Sequence, residues 1–260
     1  MNYCNKEYYV TNGMMDPDFR LSVSGIAAIS QDCFASLMAK NWHAAFDLRR
    51  ESKMWIISDF TFHIVGSLPF WGEKIRVEIW LSESPSVKVH ADYKIWHNEE
   101  VVVQGDSTWA ILDIESRRPA RANSLLADME VLPQLALGGH KHPYPKSVEL
   151  KGSHSHITNR SDGDFNHHVT NMTYLNTVLA ALPDSYTNSH VVSELSISFK
   201  QESFIGENLE CSIYTTPTPD VWNFEIMTNG ERLSSVATIK YVAKGDDYNN
   251  IDYTTLHIRE

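Results

Sequence analysis

The chain has 260 residues, of which 42% are hydrophobic and 21% charged, and its formal net charge is −11 at pH 7. This composition excludes a disordered chain, and the length suffices for one large domain or for two ordinary domains with separate cores. The acidic charge argues against a nucleic-acid-binding surface, which needs a broad excess of Lys and Arg.

The N-terminus and the cysteines indicate a reduced, cytosolic compartment. The opening residues MNYCNKEYYV contain no basic region followed by an apolar run, so we expect no signal peptide. No segment reaches the roughly 18–20 uninterrupted apolar residues of a membrane helix, so we expect no stable membrane insertion. Cys4, Cys33 and Cys211 are widely spaced and form neither a disulfide framework nor a zinc-type pair.

The first half of the chain predicts one helix followed by antiparallel strands. Apolar residues recur at steps of three and four from Val23 to Leu37, and Ser22 or Ser24 can cap the helix start. Runs that alternate between apolar and polar residues then predict four strands, at 55–65, 75–81, 88–97 and 101–113.

The stretch 117–146 is rich in Pro and Gly and predicts a linker with a short helix at 123–130. Beyond it the same order of elements returns. Helical spacing begins at Val169, and Asp164 or Asn166 can cap this second helix. Four more alternating runs predict strands at 190–200, 209–215, 221–229 and 232–243.

The two halves therefore look like copies of one unit. Their helix starts align without a gap, pairing Asp16 with Asp162, Asp18 with Asp164, Phe19 with Phe165, Val23 with Val169 and Ile29 with Leu175. A helix wrapped by a bent antiparallel sheet is the hot-dog arrangement, so the repeat predicts an α+β double hot-dog. The expected parts are an N-terminal hot-dog domain at 1–122, a linker at 123–147 and a C-terminal hot-dog domain at 148–260.

The second half carries polar residues that the first half lacks. In the gapless alignment Asn166 and His168 stand opposite Arg20 and Ser22. A helix N-terminus offers backbone N–H groups and the positive end of a dipole, which suit a carbonyl oxygen that gains negative charge. Asn166 can position a water or a carbonyl, and His168 can carry a proton near neutral pH. These residues indicate an acyl-transfer site.

Such a site also needs a carboxylate as general base or nucleophile, and we expect Glu202 to supply it. In a hot-dog the long strand after the helix runs beside the helix start, and Glu202 follows that strand here. Taken alone, Asn166 or His168 can equally be a cap or a surface group, and Glu202 a solvated residue. Because the combination occurs in the second half alone, it favours an active site there.

Four separated motifs resemble a known family. The stretch 164-DFNHHVTNMTY-174 has the pattern Asp-x-Asn-x-His-Val-x-Asn-x-x-Tyr, with Glu202 downstream. The first half contains 54-MWIISDFTFHI-64, 69-PFWGEKIRVEIW-80 and 107-STWAILDIESRRPAR-121. Together they resemble the acyl-ACP thioesterases of plant plastids and bacteria, a double hot-dog family of fatty acid biosynthesis, over nearly the whole chain.

The resemblance implies hydrolysis of the thioester between a fatty acyl group and acyl carrier protein, with release of the fatty acid and without a cofactor. It places Asp164, Asn166, His168 and Glu202 at the family's catalytic positions. In this hypothesis Glu202 with His168 activates the attacking water. Asn166 and helix amides hold the thioester or the oxyanion, and Asp164 orients its neighbours.

The position after Glu202 departs from the plant pattern. Plant members often have Cys there, whereas this chain has Ser203, which excludes a cysteine nucleophile at that place. Ser203 itself is a less favoured nucleophile than water. The alternative functions are an acyl-CoA thioesterase and a non-catalytic acyl-binding protein, and a hot-dog dehydratase fits the motifs less well.

By the same resemblance the first half holds the acyl chain and a basic surface receives the carrier protein. The expected substrate-binding residues, each of which can equally be an ordinary core residue, are Ile29, Cys33, Phe34, Leu37, Met38, Met54 and Trp55. The densest basic stretch, which can equally be a solvated linker face, contains Arg117, Arg118 and Arg121 followed by Lys141, Lys146, Lys151 and Arg160. We expect a monomer or homodimer in the bacterial cytoplasm.

Paired histidines at 140/142, 154/156 and 167/168 raise the question of a metal site. No Cys or acidic ligand set stands at a metal-binding spacing beside any of the three pairs. We therefore expect no metal.

Overall fold

The computed structural model describes residues 3–245 and Tyr248. The chain divides into two compact units, the first ending at Lys141 and the second beginning at His142. Among the helices of this described part, none combines the length and the apolar character required to cross a membrane.

The first unit is an antiparallel sheet with one long helix packed on it. Its strands are β1 (Tyr3–Tyr9), β2 (Lys53–Ile64), β3 (Lys74–Glu83), β4 (Lys88–His97) and β5 (Glu100–Asp113). They lie in the order β1-β3-β4-β5-β2. The helices are α1 (Val23–Lys40), α2 (Ala45–Arg50) and α3 (Ala122–Leu125), and α1 lies against β1 and β3.

The apolar spacing of α1 explains how it packs. Ile26, Ile29, Cys33 and Leu37 share one face of the helix and are at most 4% exposed. Burying each large apolar side chain stabilises the fold by roughly 1.5–3 kcal/mol. Ser22 caps the helix by accepting a backbone N–H bond of 2.9 Å. The predicted helix, its buried face and its cap are confirmed.

The second unit repeats this design. Its strands are β6 (Leu150–Ile157), β7 (His190–Phe199), β8 (Asn208–Thr215), β9 (Val221–Thr228) and β10 (Arg232–Ala243), in the order β7-β10-β9-β8-β6. The helices are α4 (Asn171–Leu179) and α5 (Asp184–Thr187). α4 buries Tyr174, Leu175 and Val178 and lies against β6, β8 and β9. Each unit is thus a helix on an antiparallel sheet, the α+β arrangement that the sequence predicts.

The eight predicted strands are present as β2–β5 and β7–β10, with bounds that agree within two residues. Strands β1 and β6, which pair at the sheet edge with β3 and β8, were not predicted. β1 buries Cys4 alone and β6 buries no residue, so neither strand carries an alternating run of apolar residues. The short helix predicted at 123–130 is α3, at Ala122–Leu125.

Candidate active site

A tight turn held by one carboxylate precedes α4. Oδ1 of Asp164 accepts the backbone N–H of Asn166 at 2.7 Å and that of His168 at 3.1 Å. The backbone N–H of Asp164 in turn donates to the carbonyl of His168 at 2.8 Å. His167 adopts a left-handed backbone, with φ 64°. We call residues 164–168 the Asp164 turn, and its geometry fixes where the side chains of Asn166 and His168 begin.

The first unit contains the same turn before α1. Oδ1 of Asp16 accepts the backbone N–H of Asp18 at 2.9 Å and that of Arg20 at 3.0 Å. Phe19 has φ 60°, matching the left-handed residue of the Asp164 turn. The two turns agree bond for bond, so the structural counterpart of Asp164 is Asp16.

This result corrects the gapless pairing of the two halves. The pairing of Asp18 with Asp164 is wrong, and so are the others derived from the same alignment, because the true register differs from it by two residues. The counterparts of Asn166 and His168 are Asp18 and Arg20. The amide and the imidazole still occur in the second unit only, so the asymmetry that indicated a site remains.

The predicted cap of the second helix is also wrong. The N-cap is Thr170, whose hydroxyl accepts the backbone N–H of Thr173 at 3.2 Å. Asp164 lies six positions earlier, and its carboxylate is already bonded to amides of its own turn. Asp164 and Asn166 therefore belong to the turn that precedes α4 and not to the first turn of the helix.

The structure brings His168 and Glu202 together. Glu202 lies in the segment after β7, and its Oε2 is 3.5 Å from Nδ1 of His168. A backbone bridge between His168 and Phe204 and a 2.9 Å bond from Val169 N–H to the Ser203 carbonyl hold this segment beside the Asp164 turn. The side chains of His168 and Glu202 are 21% and 36% exposed, so the pair is shielded but reachable.

Asn166 is tied to the same carboxylate through its side chain. Its Nδ2 lies 3.3 Å from Oδ2 of Asp164, while Oδ1 of Asp164 holds the backbone of the turn. Asp164 therefore orients both the main chain and the amide of Asn166. Together, Asp164, Asn166, His168 and Glu202 form one cluster, as the sequence predicts.

Three side chains beside this cluster were not anticipated. The ring of Phe204 meets that of His168 edge to face, with centroids 5.3 Å apart. Glu207 accepts the backbone N–H of Phe204 at 2.8 Å, and both of its oxygens are within 2.7 Å of Nη2 of Arg232. The hydrogen bond from Arg232 holds the pKa of Glu207 below its ordinary value of 4.5. The Gly206-Glu207 turn, visible in the sequence, thus anchors the segment that carries Glu202.

The corresponding place in the first unit carries Arg20 and Leu68 where the second unit has His168 and Glu202. Arg20, the counterpart of His168, is buried and donates from Nη1 to the Leu68 carbonyl at 2.7 Å. Its guanidinium also lies 4.2 Å from the ring centroid of Phe70, the counterpart of Phe204. Leu68 occupies the position equivalent to Glu202, because the bridge between Arg20 and Phe70 matches that between His168 and Phe204.

The hydroxyl and thiol alternatives are buried. Ser203 is fully buried, with its Oγ 2.6 Å from Oγ1 of Thr228 and 3.4 Å from Oγ of Ser234. Burial raises the pKa of Cys211, the cysteine of the second unit, to about 12. Neither side chain is placed to attack a thioester that approaches the Glu202–His168 pair from solvent.

The residues predicted to bind the acyl chain lie in the first unit. Phe34 stacks on Trp109 with centroids 4.0 Å apart and meets Trp55 edge to face at 5.3 Å. Trp109 was not anticipated, although its strand pattern is visible in the sequence. The remaining expected members of this group, all buried, are Ile29, Cys33, Leu37, Met38 and Met54.

The basic residues predicted to receive a carrier protein are at the surface. Arg117, Arg118 and Arg121 are exposed and follow β5, where the backbone N–H of Asp113 donates to the Arg118 carbonyl at 2.9 Å. The basic residues further along the chain, all exposed as well, are Lys141, Lys146, Lys151 and Arg160.

Two family models match the chain. The model of the acyl-ACP thioesterase N-terminal domain matches residues 2–128, and the model of the acyl-ACP thioesterase C-terminal domain matches residues 146–253. Together they cover most of the sequence, and each falls largely on one compact unit.

Individual relatives are distant. The chain is 23% identical over 202 residues to the oleoyl-acyl carrier protein thioesterase 2 of Arabidopsis thaliana, covering 72% of this chain and 54% of that protein. It is 21% identical over 201 residues to the dodecanoyl-[acyl-carrier-protein] hydrolase of Cinnamomum camphora, covering 71% of this chain and 50% of that protein. The chain thus spans about half the length of the curated relatives it matches.

Solved structures show the same fold. An acyl-ACP thioesterase from Bacteroides thetaiotaomicron superposes with a TM-score of 0.83 at 15% identity, covering 92% of this chain and 98% of the other. The 12:0-ACP thioesterase from Umbellularia californica superposes with a TM-score of 0.78 at 16% identity, covering 93% of this chain and 98% of the other. The predicted double hot-dog is confirmed.

Proposed function

This chain belongs to the acyl-ACP thioesterase family, and on that premise we propose that it hydrolyses the thioester between a fatty acyl group and acyl carrier protein. The products are a free fatty acid and the thiol of the carrier's phosphopantetheine arm. The observation that carries the proposal is the 3.5 Å approach of Glu202 to His168 beside the Asp164 turn. The family makes the reaction plausible, and this pair supplies its acid–base chemistry.

The proposed reaction begins with attack of water on the thioester carbonyl carbon. The Glu202–His168 pair accepts the proton that the water loses, and the carbonyl oxygen becomes an oxyanion. Collapse of this intermediate breaks the carbon–sulfur bond, and the proton held by the pair passes to the departing sulfur. Water is the nucleophile in this proposal because Ser203 and Cys211 are buried.

Asp164 and Asn166 have supporting roles in this mechanism. An asparagine amide carries two N–H donors, one of which faces Asp164 in the structure. We assign Asn166, with N-terminal amides of α4, a role at the thioester oxygen as its charge develops. Asp164 is a positioning residue, because its contacts are with the backbone and side chain of its own turn.

The other functional assignments are part of the proposal. The residues around Phe34 and Trp55 bind the acyl chain, and the exposed arginines Arg117, Arg118 and Arg121 meet the acidic carrier. A reaction on a soluble carrier without a cofactor suits the bacterial cytoplasm. In this proposal the domain at 1–122 binds the acyl chain and the domain at 148–260 carries out catalysis. A linker joins the two domains.

The experiment compares matched acyl-ACP and acyl-CoA substrates over a range of chain lengths, with Glu202→Ala as the control enzyme. The proposal predicts turnover of acyl-ACP that is lost in the variant, with a chain-length profile that reflects the acyl-binding residues. A preference for acyl-CoA would mean that the carrier of the acyl group is coenzyme A and not acyl carrier protein. Saturable acyl binding without turnover of either substrate would make this a binding protein and overturn the proposal.

A further inference from the structure

A second histidine–carboxylate pair lies beside α4, outside the four-residue cluster. Nε2 of His156, on β6, is 3.0 Å from Oδ2 of Asp162, and the same oxygen accepts the backbone N–H of Asn159 at 2.8 Å. An ionised carboxylate can only accept hydrogen bonds, so Nε2 carries a proton of this imidazole. The side chains of His156 and Asp162 are 34% and 14% exposed. Asp162 therefore connects β6 to the short turn that leads into the Asp164 turn.

Asp162 also holds the first turn of α4. Its backbone carbonyl accepts the N–H of Thr170, the N-cap, at 2.8 Å. The hydroxyl of Thr173, a buried residue of the helix, lies 3.3 Å from Oδ1 of Asp162 and 3.4 Å from its carbonyl oxygen. One residue thus contacts both the cap of α4 and a side chain inside its first turn.

The first unit has the backbone of this arrangement without the carboxylate and the hydroxyl. The carbonyl of Met14 accepts the N–H of the N-cap residue of α1 at 2.8 Å, so Met14 is the counterpart of Asp162. Gly25 donates its N–H to the side chain of the α1 cap at 2.9 Å, which is the place that Thr173 takes in α4. An apolar side chain and a glycine therefore stand where the second unit has a hydrogen-bonded pair.

The imidazole has a different counterpart as well. Tyr8 lies two residues before the N–H that donates to the Glu73 carbonyl, and His156 lies two residues before the N–H that donates to the Glu207 carbonyl, both at 3.0 Å. The hydroxyl of Tyr8 donates to Oδ2 of Asp32 on α1 at 2.6 Å. At these equivalent, described positions the first unit lacks the histidine–carboxylate–threonine contact, as it lacks the amide and the imidazole of the candidate active site.

We propose that Asp162, supported by His156, is a positioning residue for thioester hydrolysis, an assignment that rests on the function proposed above. In that mechanism N-terminal amides of α4 face the thioester oxygen as it becomes an oxyanion. Such donors are effective because their positions are fixed before the charge develops. The contacts of Asp162 fix the start of α4 against β6 on one side and the Asp164 turn on the other. A carboxylate is also favourable beside the positive end of the helix dipole.

The test measures acyl-ACP hydrolysis by the full chain and by two variants of Asp162. Asp162→Ala removes the acceptor that joins β6 to α4, so it should lower kcat about 10–100-fold while KM stays within about threefold of wild type. Asp162→Asn has the same shape and keeps a carbonyl oxygen for the donors of His156 and Asn159. It should therefore retain a kcat within about threefold of wild type.

A second measurement reports on the oxyanion donors themselves. A trifluoromethyl ketone analogue of acyl-pantetheine forms a hydrate that resembles the tetrahedral intermediate. Its affinity for Asp162→Ala should fall by the same factor as kcat/KM. The double variant Asp162→Ala/His156→Ala should be no slower than Asp162→Ala, because both substitutions break one contact. Thr173→Val keeps the shape of its side chain and removes only the hydroxyl, so it should lower kcat about 3–10-fold even where Asp162→Ala does not fold.

Thr216→Ala is the matched control for stability. Its hydroxyl donates to the Val221 carbonyl at 3.0 Å and accepts the Thr218 N–H at 3.2 Å, in the turn after β8. This variant should lower Tm and keep the wild-type kcat.

Three results would make the role of Asp162 other than positioning and overturn the assignment while wild-type hydrolysis stands. They are a wild-type kcat for Asp162→Ala or Thr173→Val, an equal fall in kcat for Thr216→Ala, and an equal fall for Asp162→Asn and Asp162→Ala. Absence of acyl-ACP hydrolysis by the wild-type chain would overturn both the assignment and the proposed function.

Discussion

Asp16 and Asp164 hold the same turn in the two units, each carboxylate accepting the backbone N–H groups of the residues two and four positions further on. The turn is therefore structural in origin, since it exists in both units. Its chemistry depends on what the fourth position after the aspartate carries. That residue is a buried arginine bonded to a carbonyl in the first unit and a histidine facing Glu202 in the second.

Because the turn occurs in both units, equivalent variants of the two turns can distinguish an effect on stability from an effect on catalysis. Replacing Asp164 or Asp16 by Ala leaves two turn amides without their acceptor, so each variant should lose about 1–3 kcal/mol of unfolding free energy. Only Asp164→Ala should also lower kcat for thioester hydrolysis, because only that turn carries Asn166 and His168. Denaturant unfolding and steady-state kinetics of both variants provide the measurement. Equal losses of kcat would contradict a specific role for the second turn.

Ser203 provides a test of the nucleophile. Its hydroxyl is fully buried against Thr228 and Ser234, so Ser203→Ala should lower stability by about 1 kcal/mol and leave turnover near the wild-type rate. Hydrolysis of acyl-ACP by the variant, together with its thermal unfolding, measures both effects. Complete loss of turnover in a folded variant would mean that the serine attacks the thioester after a rearrangement.

The turn that anchors the Glu202 segment should contribute a pH-dependent stability. Arg232 lowers the pKa of Glu207 from its ordinary value of 4.5, so the unfolded chain binds the proton more readily. The stabilisation is fully present above pH 4.5 and is lost as the pH falls through the lower folded-state pKa. The difference in unfolding free energy between wild type and Glu207→Gln should therefore shrink on acidification. A difference that is constant over this range would contradict the assignment.

Charge reversal at the exposed arginines tests whether they recognise the carrier protein. Arg118→Glu should slow hydrolysis of acyl-ACP, most strongly at low ionic strength, and should spare a small acyl thioester. Arg50→Glu is the matched control, because Arg50 is an exposed arginine of the same unit whose charge lies on α2. Equal effects of Arg118→Glu on both substrates would remove these arginines from carrier recognition.

The sequence predicts the sheets well because long strands with one buried face alternate clearly. The pairing of the two turns was harder to predict, since the letters that match, Asp-x-Asp-Phe, are not the residues in equivalent places. The turn requires an aspartate, a left-handed residue and two bonded amides, and its left-handed position holds Phe19 in one unit and His167 in the other. Hydrogen bonding, rather than side-chain identity, defines this repeat.

The residues of the candidate cluster were predicted as a set, because their asymmetry between the halves survives the corrected register. Its supports were not predicted, since Phe204 and Arg232 reach it through the fold and not through spacing along the chain.

The most direct test of the central claim is release of fatty acid from acyl-ACP by wild type, Glu202→Gln and Glu194→Gln. Glu194 is the matched control, a carboxylate on β7 whose Oε1 pairs with Lys240 at 2.6 Å. The account predicts wild-type rates for Glu194→Gln and a loss on the order of 10²–10⁴-fold for Glu202→Gln, with substrate binding largely retained. Hydrolysis by Glu202→Gln at the wild-type rate would show that the Glu202–His168 pair does not perform the reaction.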